Sequence, residues 1–481
     1  MAESLKKQTV SGIIWTGVQQ FSTMGISFLS NIVLARLLSP DDYGCIGILA
    51  IFIVVATLFV NGGFAAALVQ KKNPTNDDYC TVFYWNIAVS AILYGILYFS
   101  APYIAQFYKI AMLSDVLRVQ GIILFINALS IVQQNILRKE LKFKKLSYIQ
   151  LTSVIISVAI AISLAYNGFG VWALVIQQLA LGIITTIILW MTAKWHPALC
   201  FSTKSFKELF SYGAYMLMSD ILNGICDNIQ GLIIGRRYSV TDMGYYSQAK
   251  RLETVPTQSI SNAVSQVIFP VFSKIQDDKD KLYTATRKGL RSMNFFNIPL
   301  MMLLITIADS LLVLLYSEKW IESIPYFRIL CVAGLVNCMQ SINYQLVCAV
   351  GKSKVMFRWN MVKRICGLLF ILGGMYWGIF GMMWGMVLSF YFTYIVNAML
   401  ASSYSGYTLC KQVVDAVPVL AISIVASLVT YYMQYLVVAG YAVIIIIQIL
   451  VFAIVYFGLA KLFRFAEMEE YIRIAKSYLK R

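Results

Sequence analysis

Residues 36–60 read RLLSPDDYGCIGILAIFIVVATLFV, a short polar loop that runs directly into an apolar segment. From Tyr43 to Val60 this segment carries no charged side chain. A helix needs about 20 apolar residues to cross a bilayer, so the stretch predicts a membrane-spanning helix. The composition of the whole chain supports this prediction, because its 481 residues are 59% hydrophobic and 13% charged. Soluble domains average about 45–50% hydrophobic and about 25% charged residues. The sequence therefore predicts an integral membrane protein.

Apolar segments of this kind recur from one end of the chain to the other, and length and periodicity distinguish fourteen of them. They are Val10–Arg36, Tyr43–Val69, Cys80–Ala101, Val116–Leu137, Tyr148–Tyr166, Val171–Thr192, Leu209–Gly235, Tyr245–Phe272, Leu290–Tyr316, Pro325–Val350, Phe357–Tyr376, Gly381–Ser403, Ala416–Tyr435 and Gly440–Leu462. The connections between them are too short for a soluble catalytic domain. We therefore predict an all-α membrane protein with about fourteen transmembrane helices.

Positive charge is concentrated in alternate connections. The chain has 39 Lys and Arg against 22 Asp and Glu, a net charge of +17. Cytoplasmic loops of membrane proteins are enriched in Lys and Arg, so this excess indicates orientation and not a nucleic-acid partner. With both termini in the cytoplasm, most cations fall on the inner side. Those left outside or within the membrane are Arg36, Lys109, Arg118, Arg236, Arg237, Lys250, Arg251, Lys319 and Arg328.

The polar loop that opens the quoted stretch occurs twice. Arg36, Ser39, Asp42 and Gly44 return as Arg236, Ser239, Asp242 and Gly244, each displaced by 200 residues and each copy following an odd-numbered span. Six spans separate the copies, so a duplication gives two lobes of the same orientation, related by an axis along the membrane normal. We predict lobes at 1–207 and 208–403, followed by a final helix pair and cytoplasmic tail at 404–481. The retained Asp is expected to cap a helix and the retained Gly to make a turn.

Cysteine and histidine usage excludes several kinds of chemistry. The nine cysteines are odd in number, lie mostly in apolar runs and never show C-x-x-C spacing, which favours neither a disulfide framework nor a zinc site. His196 is the only histidine and precedes a proline in a polar connection, as expected of a solvated loop residue. A Ser-His-Asp or Cys-His arrangement would have to use it. We predict no catalytic residues, no metal site and no cofactor.

Two motifs resemble a known family. The opening SGIIWTGVQQF…LARLLSPDDYG and the following NGGFAAALVQKKNPT resemble the Wzx-type flippases of polysaccharide and lipopolysaccharide biosynthesis, in the colanic-acid exporter branch of the multidrug/oligosaccharidyl-lipid/polysaccharide exporter superfamily. The resemblance runs from about Leu5 through the twelfth span. It implies a two-lobed transporter of the bacterial inner membrane that moves an undecaprenyl-diphosphate-linked oligosaccharide outward by alternating access. It further suggests a polysaccharide polymerase and chain-length proteins as partners, besides the membrane lipids.

The eighth predicted span carries a polar stripe at helical spacing, which in lipid must face protein or water. Its members are Ser247, Lys250, Arg251, Thr254, Gln258, Ser261, Asn262 and Ser265. Packing of small polar residues between helices explains the serines and threonine but explains the Lys250-Arg251 pair less well. We predict that Lys250, Arg251, Gln258 and Asn262 bind the substrate, together with Gln19 and Gln20 of the first span. Alternatively, the two cations snorkel to the outer interface.

Two carboxylates share a face of the seventh span. Asp220 and Asp227 are seven residues apart, and Asp227 lies near the depth of Lys250 and Arg251. One hypothesis is a structural ion pair with these cations, for which Glu253 is a second candidate partner. The functional hypothesis is that Asp220 or Asp227 titrates or binds a coupling ion while the cations bind diphosphate or acidic sugars.

Two other functions remain open. A cation-coupled multidrug exporter of the same fold would use carboxylates and aromatic residues, but the first span has no carboxylate. A membrane glycosyltransferase or polymerase could use Asp41 and Asp42 of the first outer loop. The repeat argues against this second alternative, because its other copy has Thr241 before Asp242.

Overall fold

A computed structural model describes residues 2–434 and 439–479, and these are almost entirely helical without a β-strand. The described part of each predicted apolar segment falls on a helix or on a pair of consecutive helices. The predicted end of the thirteenth segment, Tyr435, lies outside the described residues. Within the described part of the chain, nine candidate spans satisfy length and hydropathy criteria together. The predicted fold class is confirmed. The helices form two compact units, Met1–Gly244 and Tyr245–Arg481, which are described in turn.

In its described residues, the first unit contains nine complete helices and the beginning of a tenth. They are α1 (Ala2–Leu37), α2 (Pro40–Asn61), α3 (Phe64–Gln70), α4 (Asn76–Tyr108), α5 (Met112–Gln120), α6 (Ile123–Lys139), α7 (Phe143–Tyr166), α8 (Val171–Ala193) and α9 (Thr203–Arg237). Helix α1 packs on α7, α7 on α8, and α2 on α9. A core of apolar side chains joins α3, α4 and α6 to α9 and includes Phe64, Phe83, Val132 and Leu209. Helix α5 packs on α4.

The second predicted span is interrupted. Helix α2 ends at Asn61 and α3 begins at Phe64, and the two glycines between them, Gly62 and Gly63, have φ angles of 53° and 69°. This left-handed backbone suits glycine because it lacks a Cβ. The NGGF motif therefore divides one apolar run into a spanning helix and a short second helix, which hydropathy alone does not reveal.

The repeated loops have the same local structure. Ser39 Oγ accepts from the Asp42 amide and the Asp42 carboxylate accepts from the Ser39 amide, a capping box that starts α2. In the second copy, the Asp242 amide donates to Ser239 Oγ at 2.9 Å and Ser239 Oγ donates to the Asp242 carboxylate at 2.7 Å. The expectation that the retained Asp caps a helix therefore agrees with the structure.

The expectation that the retained glycines make turns is wrong, because Gly44 and Gly244 both lie inside helices. Each instead packs against the backbone of the other loop, within the first unit. A Cβ on Gly44 would lie 2.0 Å from the carbonyl oxygen of Val240, and one on Gly244 would lie 1.9 Å from that of Pro40. The contact is reciprocal, and Thr241 Oγ1 adds a hydrogen bond of 2.5 Å to Asp41 Oδ1.

The second unit contains most of α10 and the helices that follow. They are α10 (Val240–Lys274), α11 (Lys279–Tyr316), α12 (Ser323–Ala349), α13 (Ser353–Gly374), α14 (Gly378–Ser405), α15 (Leu409–Met433), α16 (Tyr441–Leu462) and α17 (Ala466–Leu479). Helices α12, α13 and α14 pack on one another, and α11 packs on α12, α15 and α16. Helices α10 and α11 continue through Pro256 and Pro299, so neither proline ends its helix.

The predicted lobe boundaries, 207/208 and 403/404, were drawn from the sequence repeat and stay a prediction. The compact units are defined by packing instead, and α9 belongs with the first because it packs along α2.

Candidate functional site

The polar stripe of α10 divides into a packed and an open part. The packed part faces α12, where Ser261 Oγ lies 3.4 Å from Cys338 Sγ and Ser265 Oγ lies 3.0 Å from Ser341 Oγ. Thr257 is buried on the same side. For these small polar residues, the structure matches the packing alternative, in which hydroxyls join neighbouring helices.

The open part consists of Arg251, Gln258 and Asn262. Arg251 and Gln258 are exposed and Asn262 is partly exposed. Spacings of seven and four residues place the three on one face of the helix, along about 17 Å at 1.5 Å per residue. This face offers a guanidinium group and two carboxamides, the groups that bind phosphates and sugar hydroxyls.

Lys250 lies to the side of this face. Its ammonium stands over the ring of Tyr246, 5.6 Å from the centroid, and adjacent residues of a helix point about 100° apart. Although the sequence places Lys250 and Arg251 next to each other, Arg251 is exposed and Lys250 is only partly exposed. Both residues take part in further interactions.

Glu253 is a buried acid one turn from Lys250. It is 9% exposed, and a Cβ on Gly334 of α12 would lie 2.9 Å from its Oε1. The side chain of Met301 approaches the same glycine. From the sequence, Glu253 is only a candidate partner for the two cations. Its burial against Gly334 of α12 could not be predicted, because residue spacing on α10 does not show which residue of α12 lies opposite Glu253.

The two glutamines of the first span differ in their surroundings. Gln19 is partly buried where α1 packs on α7, and its Oε1 lies 3.3 Å from Ser147 Oγ. Gln20 is exposed. Gln20 is thus the more accessible of the two predicted substrate-binding side chains on α1.

Asp220 and Asp227 are both exposed on α9, in agreement with the shared face that their spacing predicts. Asp227 takes part in further interactions of its own. Their predicted pairing with Lys250 or Arg251, and their predicted role in ion coupling, stay predictions. Among the described residues, no group of three or more His, Cys, Asp or Glu side chains forms a possible metal site.

Sequence reasoning missed one buried cation. The charge pattern predicts Lys363 at the cytoplasmic side, and the structure adds that it lies within α13 and is buried. The available signal was the complete absence of Asp and Glu from residues 323–414, which leaves this lysine without an acidic residue on its own or the flanking helices.

Comparison with known proteins gives a consistent result. The teichuronic acid biosynthesis protein TuaB of Bacillus subtilis is 27% identical over 359 residues, which cover 74% of this chain and 74% of that protein. The lipopolysaccharide biosynthesis protein WzxC of Escherichia coli is 24% identical over 425 residues, which cover 84% of each. Among solved structures, the lipid II flippase MurJ in an inward closed conformation matches with a TM-score of 0.76 at 15% identity, over 94% of this chain and 98% of that one. That likeness shows a shared fold.

The family itself is shown by a match to a family model. A family model described as polysaccharide biosynthesis protein matches residues 33–325, which is more than half of the chain and includes both copies of the repeated loop. The resemblance to Wzx-type exporters is thereby confirmed. This chain is a multi-pass membrane protein that belongs to the polysaccharide biosynthesis protein family.

Proposed function

We propose that the protein is a flippase that moves an undecaprenyl-diphosphate-linked oligosaccharide across the inner membrane for surface polysaccharide or lipopolysaccharide synthesis. Family membership and relatives named for polysaccharide biosynthesis support the pathway. A fold shared with a lipid II flippase supports the kind of transport. The observation that carries the proposal is the open face of α10, because it places a guanidinium and two carboxamides along one side of the predicted eighth span.

Each group on this face suits one part of such a substrate. The Arg251 guanidinium can bind two oxygens of a diphosphate at once, and Gln258 and Asn262 can both donate to and accept from sugar hydroxyls. Lys250 adds positive charge beside them, and Gln19 and Gln20 are further candidates for hydroxyl binding. Transport by alternating access would expose this face to each side of the membrane in turn.

Orientation and partners follow from the same proposal. The cation distribution supports cytoplasmic termini and an inner-membrane location. A product delivered to the outer side would be consumed by a polysaccharide polymerase with its chain-length proteins. The protein itself is proposed to be a transporter without catalytic activity.

The two alternatives have less support. A glycosyltransferase would need Asp41 or Asp42 as a free acid, but Asp41 accepts a hydrogen bond from Thr241 and Asp42 caps α2. A multidrug exporter could use Asp220 and Asp227, but the cationic face of α10 would repel cationic drugs.

Complementation tests the proposal directly. A strain that lacks its own flippase and makes the matching lipid-linked oligosaccharide is transformed with this chain, and surface polysaccharide is measured. We expect polysaccharide to return. Its absence, with the protein present in the membrane at normal abundance and the matched substrate supplied, would contradict the assignment. Efflux of cationic dyes by the same cells would favour the multidrug exporter.

A further inference from the structure

Lys363 occupies an unusual position for a lysine. Its side chain is 5% exposed, although it lies within α13 only six residues after Phe357, where the predicted span begins. Lysines near the end of a span usually extend their ammonium group to water. The low exposure shows that Lys363 instead lies against its neighbouring helices.

The neighbours of Lys363 are neutral. Its Nζ donates to Asn397 Oδ1 of α14 at 2.6 Å and lies 4.0 Å from Met356 Sδ. The Asn397 amide in turn donates to the carbonyl oxygen of Gln340 on α12 at 3.4 Å. None of the ion pairs formed by the described residues includes Lys363.

The sequence explains why no acid pairs with this lysine. Residues 323–414 contain all of α12, α13 and α14 and no Asp or Glu. Two ionisable groups act electrostatically on Lys363. One is Arg364, whose positive charge repels an ammonium, and the other is Cys348 of α12. Tyr344 lies beside Cys348, and α14 has no charged residue.

An unpaired ammonium in such a place costs several kcal/mol, whereas a neutral amine can still donate to Asn397. Hydration of the site would reverse the preference, because water stabilises the ammonium. The charge of Lys363 therefore depends on whether water reaches it, and a transporter that alternates its access to water changes that condition in each cycle.

We propose that Lys363 is a proton-binding site within the second unit, through which a proton gradient drives transport. When the site is hydrated, hydronium transfers a proton to the amine and leaves water and the ammonium. When the site next opens to the opposite side, the ammonium returns the proton to water and becomes the amine. The coupling step rests on the proposed flippase function, but proton binding does not.

Nitrogen NMR tests the binding step without any substrate. Full-length protein labelled with ¹⁵N at lysine is placed in lipid nanodiscs, and the Nζ resonances are followed from about pH 6 to about pH 9, a range in which exposed lysines stay protonated. We expect one resonance to change from ammonium to amine, and Lys363→Met to remove it. Asn397→Asp should hold the same resonance in the ammonium form by supplying a counter-ion.

Lys71 provides the control, because its ammonium is paired with Asp78 and Glu208 at 3.0 Å each. Lys71→Met should remove a resonance that stays ammonium throughout. If Lys363 also stays ammonium throughout, the proposal is wrong. If Lys363→Met does not fold, the Asn397→Asp variant provides the test instead. A pH series of Nζ resonances identical to that of wild type would then show that the proposal is wrong.

Proteoliposomes with a fluorescent polyprenyl-diphosphate oligosaccharide test the coupling. We expect wild-type flipping to change at least about fivefold with an imposed pH gradient, the low end of usual coupling, and Lys363→Met to lose this dependence. A gradient dependence that survives in Lys363→Met would overturn the coupling. No flipping by wild type, with Lys363 titrating in the spectra, would instead overturn the flippase function and leave the proton site standing.

Discussion

Among single residues, Arg251 carries the sharpest prediction about substrate binding. It is exposed on the same face of α10 as Gln258, whereas Lys250 lies against Tyr246. A hydrogen bond to a charged group contributes about 1.5–3 kcal/mol, so we expect Arg251→Ala to weaken substrate binding roughly 10- to 100-fold. Arg251→Lys should recover only part, because an ammonium cannot bind two oxygens in the bidentate manner. Flipping rates in proteoliposomes at varied substrate concentration measure the effect.

Lys274 is the matched control for Arg251. It is an exposed cation at the far end of the same helix, and Lys274→Ala should leave flipping unchanged. We expect Lys250→Ala to have a smaller effect than Arg251→Ala. Equal losses at 250 and 251 would restore the view of a single cationic pair, and wild-type rates in both would assign both residues to snorkelling or structural pairing.

At the two retained glycines, Gly44 and Gly244, we expect a single added methyl group to destabilise the protein by steric overlap. A Cβ on Gly44 or Gly244 would meet a carbonyl oxygen at 2.0 or 1.9 Å, and backbone cannot move aside as a flexible side chain can. Overpacking usually costs about 1–3 kcal/mol, so Gly44→Ala and Gly244→Ala should each lower the melting temperature of the purified protein.

Gly95 is the control for this steric effect. It lies inside α4, and a Cβ added there would have no neighbouring atom within 4 Å. Gly→Ala in an open helix position is neutral or stabilising by about 0.5–1 kcal/mol. A melting temperature for Gly44→Ala that is equal to that of Gly95→Ala would show that the two loops do not hold this contact in the membrane protein.

Among the connections between elements, Lys71 joins the loop after α3 to two helices. Its Nζ lies 3.0 Å from Asp78 at the start of α4 and 3.0 Å from Glu208 in α9. Although burial opposes it, hydrogen bonding to these two acids raises the pKa of Lys71. Asp78 is 0% exposed, so Lys71→Met leaves a buried carboxylate without its cation. We expect a loss of about 1–3 kcal/mol, measured by thermal unfolding.

The neighbouring Lys72 is the control that distinguishes the specific ion pairs of Lys71 from the overall positive charge of the loop. It is exposed, and surface charges usually contribute less than about 1 kcal/mol. Lys72→Met should therefore have almost no effect on the melting temperature. Equal losses for the two variants would indicate that the positive charge of the loop matters and the contact of Lys71 does not.

The last described helix, α17, is held to α11 by two kinds of contact. Tyr471 lies 5.0 Å from the ring of Phe296 and 6.2 Å from that of Phe295, while Lys288 pairs with Glu470 at 2.5 Å. An exposed ion pair contributes up to about 1 kcal/mol, and loss of a packed aromatic side chain usually costs more. We expect Tyr471→Ala to lower the melting temperature more than Lys288→Ala does.

Tyr376 is the control for the aromatic contact, because it is 91% exposed. Tyr376→Ala should unfold at the wild-type temperature. If Lys288→Ala lowers the melting temperature as much as Tyr471→Ala does, the ion pair contributes as much as the aromatic contact to holding α17, and the expected order is wrong.

Individual elements differ in how far the sequence predicted them. The spans were predictable because a bilayer imposes a length and an apolar composition on any helix that crosses it. The break at Gly62-Gly63 was not, since it depends on backbone angles within an apolar run. On α10 the residue spacing predicted the polar stripe. Only the packing of α12 shows that Ser261 and Ser265 are interhelical contacts, whereas Arg251 and Gln258 are exposed. The burial of Lys363 could not be predicted, because it depends on three helices and not on the neighbours of Lys363 in the sequence.

At the scale of the whole molecule, the distribution of charge predicts which connections face the cytoplasm. The connection between α6 and α7 contains Lys142, and Lys144 and Lys145 open α7, whereas residues 167–170 between α7 and α8 contain no Lys or Arg. Because Lys and Arg near span ends are retained in the cytoplasm, alkaline phosphatase fused after Gly168 should be active and the same enzyme fused after Cys200 inactive. Green fluorescent protein fused at the same two positions should give the opposite pattern. Replacing Lys142, Lys144 and Lys145 by Gln should reduce the contrast, and phosphatase activity after Cys200 in the wild-type chain would show that the predicted orientation is wrong.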